Sequence, residues 1–378
     1  MTAAAPTAAS STGRHRDVPR LRLSGRSLIG LLGLLCVAVT VTAIAAGAFE
    51  VGTADVVRIL ADPFIDSAAD VDPIARDVVL QIRLPRVLLG LVVGAGLGTA
   101  GALLQGIFDC SGHRRDLAPL PTLRSTALPD VLLIRSCGRE GVGGVFAIAL
   151  GATAAGIWVL PAAAFAGGLL TTLLVYAGAR SGGRTETVTL VLTGIAVNAI
   201  AGALIGLAMF ISDDAEIRSI TFWSLGSVAS ASWRSLLVAG PLVLIGLLVA
   251  GRFARPLDLL GLGEGPAGHL GVDVGRLRLQ LITVVAVLTA AGVAVSGIIA
   301  FVGLVVPHLV RLLAGPAHRT VLPASALGGA IVLTAGDMLA RTIAAPAEIP
   351  LGVLTALLGA PVFLVLLRRT RRQQGGWA

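Results

Sequence analysis

Long apolar runs follow one another along almost the whole of this chain, and no other feature restricts its fold so severely. The first reads "SLIGLLGLLCVAVTVTAIAAGAF" (27–49). In hydrocarbon every backbone N–H and C=O must find a partner within the protein, so such a run has to be a helix. Roughly 20 apolar residues cross a bilayer core, within a range of about 17–25. Ten runs meet that demand: 27–49, 84–108, 141–158, 159–179, 187–211, 234–251, 277–296, 298–315, 321–341 and 350–368. Charged residues make up 13% of the sequence, against about 25% in a soluble domain. The expected fold class is therefore an all-α integral membrane protein of about ten transmembrane helices.

Charge gives the chain a direction. All 29 basic residues are arginines. If the N-terminus is cytoplasmic, 22 of them lie on or beside the inner segments 1–26, 109–140, 180–186, 252–276, 316–320 and the tail. The other seven are Arg58, Arg76, Arg83, Arg86, Arg218, Arg234 and Arg341. That asymmetry obeys the positive-inside rule and puts both termini in the cytoplasm, which an even number of spans satisfies. It also accounts for the net charge of +8 without nucleic acid as a partner. A multi-pass protein of the cell membrane, with the lipid bilayer as its solvent, follows.

This reading divides the chain into an Arg-rich disordered tail (1–26), a ten-helix transmembrane domain (27–369) and a short cytoplasmic tail (370–378). The first run is too long for a signal-peptide core and is read as a retained span. The outward stretch 50–82 carries Asp55, Asp62, Asp66, Asp70, Asp72 and Asp77 and has length for a small external helix. Cys36, Cys110 and Cys137 have neither CxxC nor metal-ligand spacing, and no metal site is expected. No GxxxxGK[ST] phosphate loop occurs, so the chain is not expected to hydrolyse ATP or to act as an enzyme, and no cofactor is expected to bind it directly.

Three stretches carry more than hydropathy. They are "QIRLPRVLLGLVVGAGLGTAGALLQG" (81–106), "RPLDLLGLGEGPAGHLGVDVGRLR" (255–278) and the region from "SGIIAFVGLVVPHLVRLLAGPAHR" to "LGAPVFLVLLRR" (296–369). Taken alone, the glycines of the second stretch only turn the chain, with Glu264 and His269 as solvated polar groups. Arg83, Arg86 and Arg341 read equally as interfacial residues that hold their charge in the headgroup zone. Gln105 lines a pathway or makes an interhelical hydrogen bond. Gly297 and Gly303 permit close packing, and Pro307 kinks its helix.

Together the three stretches resemble the FecCD-type permeases, the membrane subunits of ABC importers for iron–siderophores and vitamin B12. The likeness runs from about residue 50 to 369, with "LTGIAVNAIAGAL" (192–204) and "WSLGSVASASW" (223–233) in order. It implies ten helices per subunit and a second permease subunit, identical or closely related. Two cytoplasmic ATP-binding subunits would use ATP, and an extracytoplasmic substrate-binding protein would deliver cargo. The family's "LGExxAxxLG" pattern appears here as Leu262, Gly263, Glu264, Ala267, Leu270 and Gly271, with His269 inside it. The resemblance implies that this coupling region, within 252–276, receives the ATPase. It likewise implies that Arg83, Arg86 and Arg341 meet acidic residues of the binding protein. Charge pairs of that kind govern register and on-rate.

The likeness breaks at "DCSGHRRDLAPLPTLRSTALPDVLLIRSCGRE" (109–140). This Arg-, Pro- and Ser-rich stretch stands where the family carries a shorter turn into its third helix. Arg135, Arg139 and Glu140 cost about 2.5–3.5 kcal/mol each if drawn into hydrocarbon, so an irregular cytoplasmic segment is expected. Its abrupt edges fit a frame-shifted segment or a true insertion. Three functions remain in view: an ATP-driven importer, most readily of ferric siderophores; an ion-coupled secondary transporter; and a permease inactivated at 109–140. The second would bury ionisable groups in mid-span, which this sequence scarcely provides.

Overall fold

The structure is a computed structural model that describes residues 24–47, 52–65, 72–109, 144–145, 148, 159–178, 180–181, 184–185, 187–345 and 347–373. The bulk of 109–140, the first 23 residues of the N-terminal tail and most of the run 141–158 lie outside these residues.

Nine of the ten apolar runs coincide with helices among the described residues. These are α1 (Gly25–Ala45), α4 (Leu84–Asp109), α5 (Val159–Gly178), α6 (Thr187–Ile211), α8 (Trp233–Arg252), α11 (Val274–Ser296), α12 (Val302–Ala314), α13 (His318–Ile343) and α14 (Leu351–Gln373). Six described helical stretches are long and apolar enough to cross a membrane. Shorter helices fill the connections: α2 (Thr53–Ile65), α3 (Pro73–Asp77), α7 (Asp214–Ser224), α9 (Ala254–Leu260) and α10 (Glu264–His269). The expected external helix in 50–82 is thus α2, followed by α3. A two-residue ladder, β1 (Arg180–Ser181) with β2 (Arg184–Thr185), is the one described departure from all-helical structure.

Some boundaries differ from the sequence reading, each for a local reason. α1 starts at Gly25, where Ser24 O accepts from Leu28 N, two residues before the apolar run. At the other end α14 runs four residues past 369, and its Pro361 does not stop it. The eighth run was drawn from 298, but α12 begins at Val302. Gly297 and Phe301 both have positive φ, 65° and 68°, and Phe301 is the one non-glycine residue so placed among those described. With 13 residues, α12 is about 20 Å long, short of the roughly 30 Å core.

The bundle is organised around α4. It packs most extensively on α13, and also on α11, α8 and α12. Small residues make that approach possible. A Cβ on Gly94 would stand 2.3 Å from Gly329 O, and one on Gly98 would stand 2.2 Å from Ser325 O. Lipid is as apolar as leucine, so helices associate here through backbone proximity and van der Waals contact. α1 and α6 instead present exposed Leu31, Leu34, Leu192, Leu207 and Phe210 outward.

The break before α12 closes against two other segments. Ser227 N donates to Ser296 O at 2.8 Å, and Gly352 N donates to Gly226 O at 3.1 Å. Cβ atoms on Gly226 and Gly352 would lie 2.2 and 2.6 Å from Ile298 O, and one on Gly297 would lie 2.1 Å from Trp223 O. Non-helical backbone survives at membrane depth only where protein surrounds it in this way.

Candidate functional site

The segment expected to receive the ATPase folds as a stepped pair of short helices between α8 and α11. α9 runs straight on from α8 through Phe253, and Gly261–Gly263 then turn the chain into α10. Gly263 and Gly271 have φ of 111° and 86°, a conformation that a side chain strains, and so delimit α10. Pro266 sits in the first turn of α10, where a missing N–H costs nothing. Ala267 is fully buried beneath the step, whereas Leu262 and Leu270 are 58% and 59% exposed. His269 is exposed as well. Leu262 and Leu270 thus stand as exposed apolar side chains just before and just after α10.

Glu264 does more than face solvent: its carboxylate accepts from Arg278 Nη2 at 2.5 Å, which ties α10 to the start of α11. A second tie was missed by sequence reasoning. Asp258 Oδ1, on α9, accepts from His318 N at 2.8 Å and lies 2.9 Å from His318 Nδ1. Asp258 therefore caps α13 from a distance of 60 residues. The aspartate in "RPLDLL" and the histidine in "GPAHR" were both in view, but nothing in their spacing pairs them.

At the other end of the bundle the three arginines are turned inward. Arg83, Arg86 and Arg341 are 4%, 8% and 9% exposed. Arg83 closes a π-helical segment (Val78–Arg83) that leads directly into α4, where Arg86 lies in the first turn. Arg83 Nη1 donates to Ile44 O and Ala45 O at 2.8 Å each, and Arg341 Nη2 donates to Ala43 O. These two cations cap the C-terminal end of α1, where carbonyls lack intrahelical partners and the dipole is negative. Arg86 lies between two carboxylates, Asp337 at 2.8 Å and Glu348 at 3.0 Å. Asp337 is a buried carboxylate inside α13, six residues before its end, and Arg86 balances its charge. Glu348 stands on the connection to α14, and the Arg86 guanidinium holds its carboxyl below the usual glutamate range. Neither Glu348 nor its pairing with Arg86 was singled out from sequence, because the two are 262 residues apart.

Beside Glu348 opens a cavity of about 690 Å³, lined among others by Asp213, Glu216, Phe222, Trp223, Ser296 and Pro350. Asp213 and Glu216 form a reciprocal capping box at the start of α7, which spends their side chains on helix termination. The sequence reading did not anticipate this cavity.

Gln105 and Gly303 meet at the α4–α12 contact. Gln105 Nε2 donates to Leu304 O at 3.0 Å, and its Oε1 accepts from Arg311 Nη1 at 2.5 Å. Of the two readings of Gln105, the structure has the interhelical bond. Gly303 lies where a Cβ on Gly101 would meet its carbonyl oxygen at 1.7 Å. Pro307, buried in α12, has no N–H to offer that carbonyl. Gly297 forms the break described above.

Comparison with known proteins agrees with this architecture. The FecCD transport family matches residues 34–109 and 129–369, and the interruption falls within the atypical stretch. The hemin transport system permease protein HmuU of Yersinia pestis is 42% identical over 298 residues, 79% of this chain and 85% of that protein. The Fe(3+) dicitrate transport system permease protein FecD of Escherichia coli is 39% identical over 295 residues, 78% and 86% of the two chains. The cobalamin import system permease protein BtuC of Halobacterium salinarum is 42% identical over 294 residues, 78% and 74%. A metal-chelate type ABC transporter solved in an inward-facing conformation superposes with a TM-score of 0.74 at 32% identity, covering 91% of this chain and 99% of that one. A helical membrane bundle with the stepped turn at 254–271 and this breadth of similarity identifies the chain: it belongs to the FecCD transport family, as a membrane-embedded ABC transporter permease and not an enzyme.

Proposed function

We propose that this permease imports an iron chelate, a ferric siderophore in the first instance, from an extracytoplasmic binding protein to the cytoplasm. Relatives named for hemin and ferric dicitrate support iron cargo, although others are named for cobalamin. The observation that carries the mechanism is the α9–α10 step. It exposes Leu262 and Leu270 and is bonded through Glu264 and Asp258 to the two long helices α11 and α13. An ATP-binding subunit seated on the leucines would move the step as a unit, and the two polar ties would carry that motion into the bundle. A second permease subunit would complete the pathway, with the outward faces of α1 and α6 available to it or to lipid. The binding protein would dock at the outer end, around Arg83, Arg86 and Arg341.

The test is uptake of labelled ferric siderophore into vesicles that contain this chain, its ATP-binding subunit and its binding protein. Uptake should require ATP and disappear in the Leu262→Asp variant. Uptake driven by an ion gradient without ATP would refute an ABC mechanism and favour ion coupling. Absence of uptake by the native chain, restored when 109–140 is replaced by the shorter family segment, would assign the defect to that stretch.

A further inference from the structure

An arginine expected to greet a partner's acid is already occupied within the chain. The Arg86 Nε and Nη2 atoms donate to Asp337 at 2.8–3.1 Å, and Nη1 and Nη2 donate to Glu348 at 3.0 Å each. Two carboxylates share one guanidinium, but they differ in kind. The Asp337 side chain is 5% exposed on the rigid α13, and withdrawing it would strand a buried cation. The Glu348 side chain is 41% exposed and sits on a non-helical connection at the rim of the cavity of about 690 Å³. Of the two, Glu348 is the one with water beside it and space to turn into. It is also the more exposed member of the pair, at 41% against 9% for Arg86, so a carboxylate arriving from solvent meets a like charge before it meets the cation.

We infer that Glu348 is an internal stand-in for the binding protein's acidic side chain: it occupies the outer edge of the Arg86 guanidinium at rest and yields that edge on docking. This rests on the reading of Arg86 as a docking residue. Asp337 keeps its bonds throughout, so the buried cation is never uncompensated. Since one carboxylate leaves as another arrives, the hydrogen bonds at that edge are conserved. Docking affinity is then a difference between two similar pairings, and the internal competitor makes the complex readily reversible.

The experiment measures binding of the cognate binding protein to the permease–ATPase complex in lipid nanodiscs, by biolayer interferometry. E348Q removes the competing charge and should tighten binding roughly 3- to 10-fold, since like charges facing each other across an interface are costly. E348D retains the charge but is shorter by one methylene; it should tighten binding to a smaller degree, and it serves if E348Q does not fold. R86Q should weaken binding, and R86Q/E348Q should bind as weakly as R86Q. Unchanged or weaker binding by E348Q and E348D, with R86Q still defective, would overturn the stand-in role and leave Arg86 docking intact. Unchanged binding by R86Q would overturn the docking reading itself, and this inference with it.

Discussion

Replacing Gly94 by alanine tests the packing logic of the whole bundle. The added methyl carbon would lie 2.3 Å from Gly329 O, 2.7 Å from Gly329 C and 2.9 Å from Ala330 Cα. All three are backbone atoms of α13 and cannot rotate aside. A carbon approaches a carbonyl oxygen comfortably at about 3.3–3.6 Å, so the seam must open by roughly 1 Å. A gap of about 0.5–1 Å forfeits a quarter to a half of each dispersion contact along the interface. Overpacking of this kind costs about 1–3 kcal/mol. Against it stands the higher helix propensity of alanine, worth at most about 0.8–1.0 kcal/mol. The net expectation is a loss of up to roughly 2 kcal/mol, a factor of up to about 30 in the folded-to-unfolded ratio. Gly33→Ala in α1 is the control, because nothing lies within 4 Å of a Cβ there and only the propensity gain remains. Purified variants heated in detergent and followed by the monodisperse fraction that survives will separate the two. If G94A and G33A melt together, backbone proximity is not what holds α4 to α13.

Three further outcomes are expected. Asp258→Ala removes the acceptor of His318 N and Nδ1 and should cost about 0.5–2 kcal/mol, the usual loss of a helix cap, measured by the same melting assay. Leu262→Asp and Leu270→Asp should leave the melting of the isolated permease unchanged while abolishing co-purification of the ATP-binding subunit, because both side chains face solvent. The stability difference between wild type and E348Q should be present at neutral pH and fade in acid. The folded-state pKa of Glu348 is depressed, so its contribution is complete above the ordinary glutamate value and is lost as pH falls through the lower folded one. Melting curves at pH 7 and at about pH 3, well below the ordinary glutamate value, decide this, and a difference that grows in acid would contradict the pairing.

The membrane class, nine helix positions and the glycine-bounded turn at 261–271 were legible because each depends on neighbours in sequence. A run of apolar residues specifies a span wherever it sits, and Gly263, Pro266 and Gly271 set the turn locally. What stayed hidden depends on partners far along the chain. Arg83 looks like an interfacial residue until the end of α1 is placed beside it. Asp337 looks like the companion of Arg341, four residues on, but Arg86 is the closer partner, at 2.8 Å against 3.7 Å. The start of α12 was misplaced because the apolar run continues through a backbone break that hydropathy does not register. The cavity could not be foreseen either, since α7, the end of α11 and the 348–350 connection meet only in three dimensions.

The break at 297–301 also bears on how this protein can be altered. Gly226, Gly297 and Gly352 come from three distant parts of the chain, and each stands where the main chain of another leaves no space for a methyl group. A chimera that takes one of these regions from a relative inherits a lock cut for different wards. Domain exchange will therefore succeed only when 223–231, 296–302 and 349–353 travel together, whatever the similarity of the intervening helices.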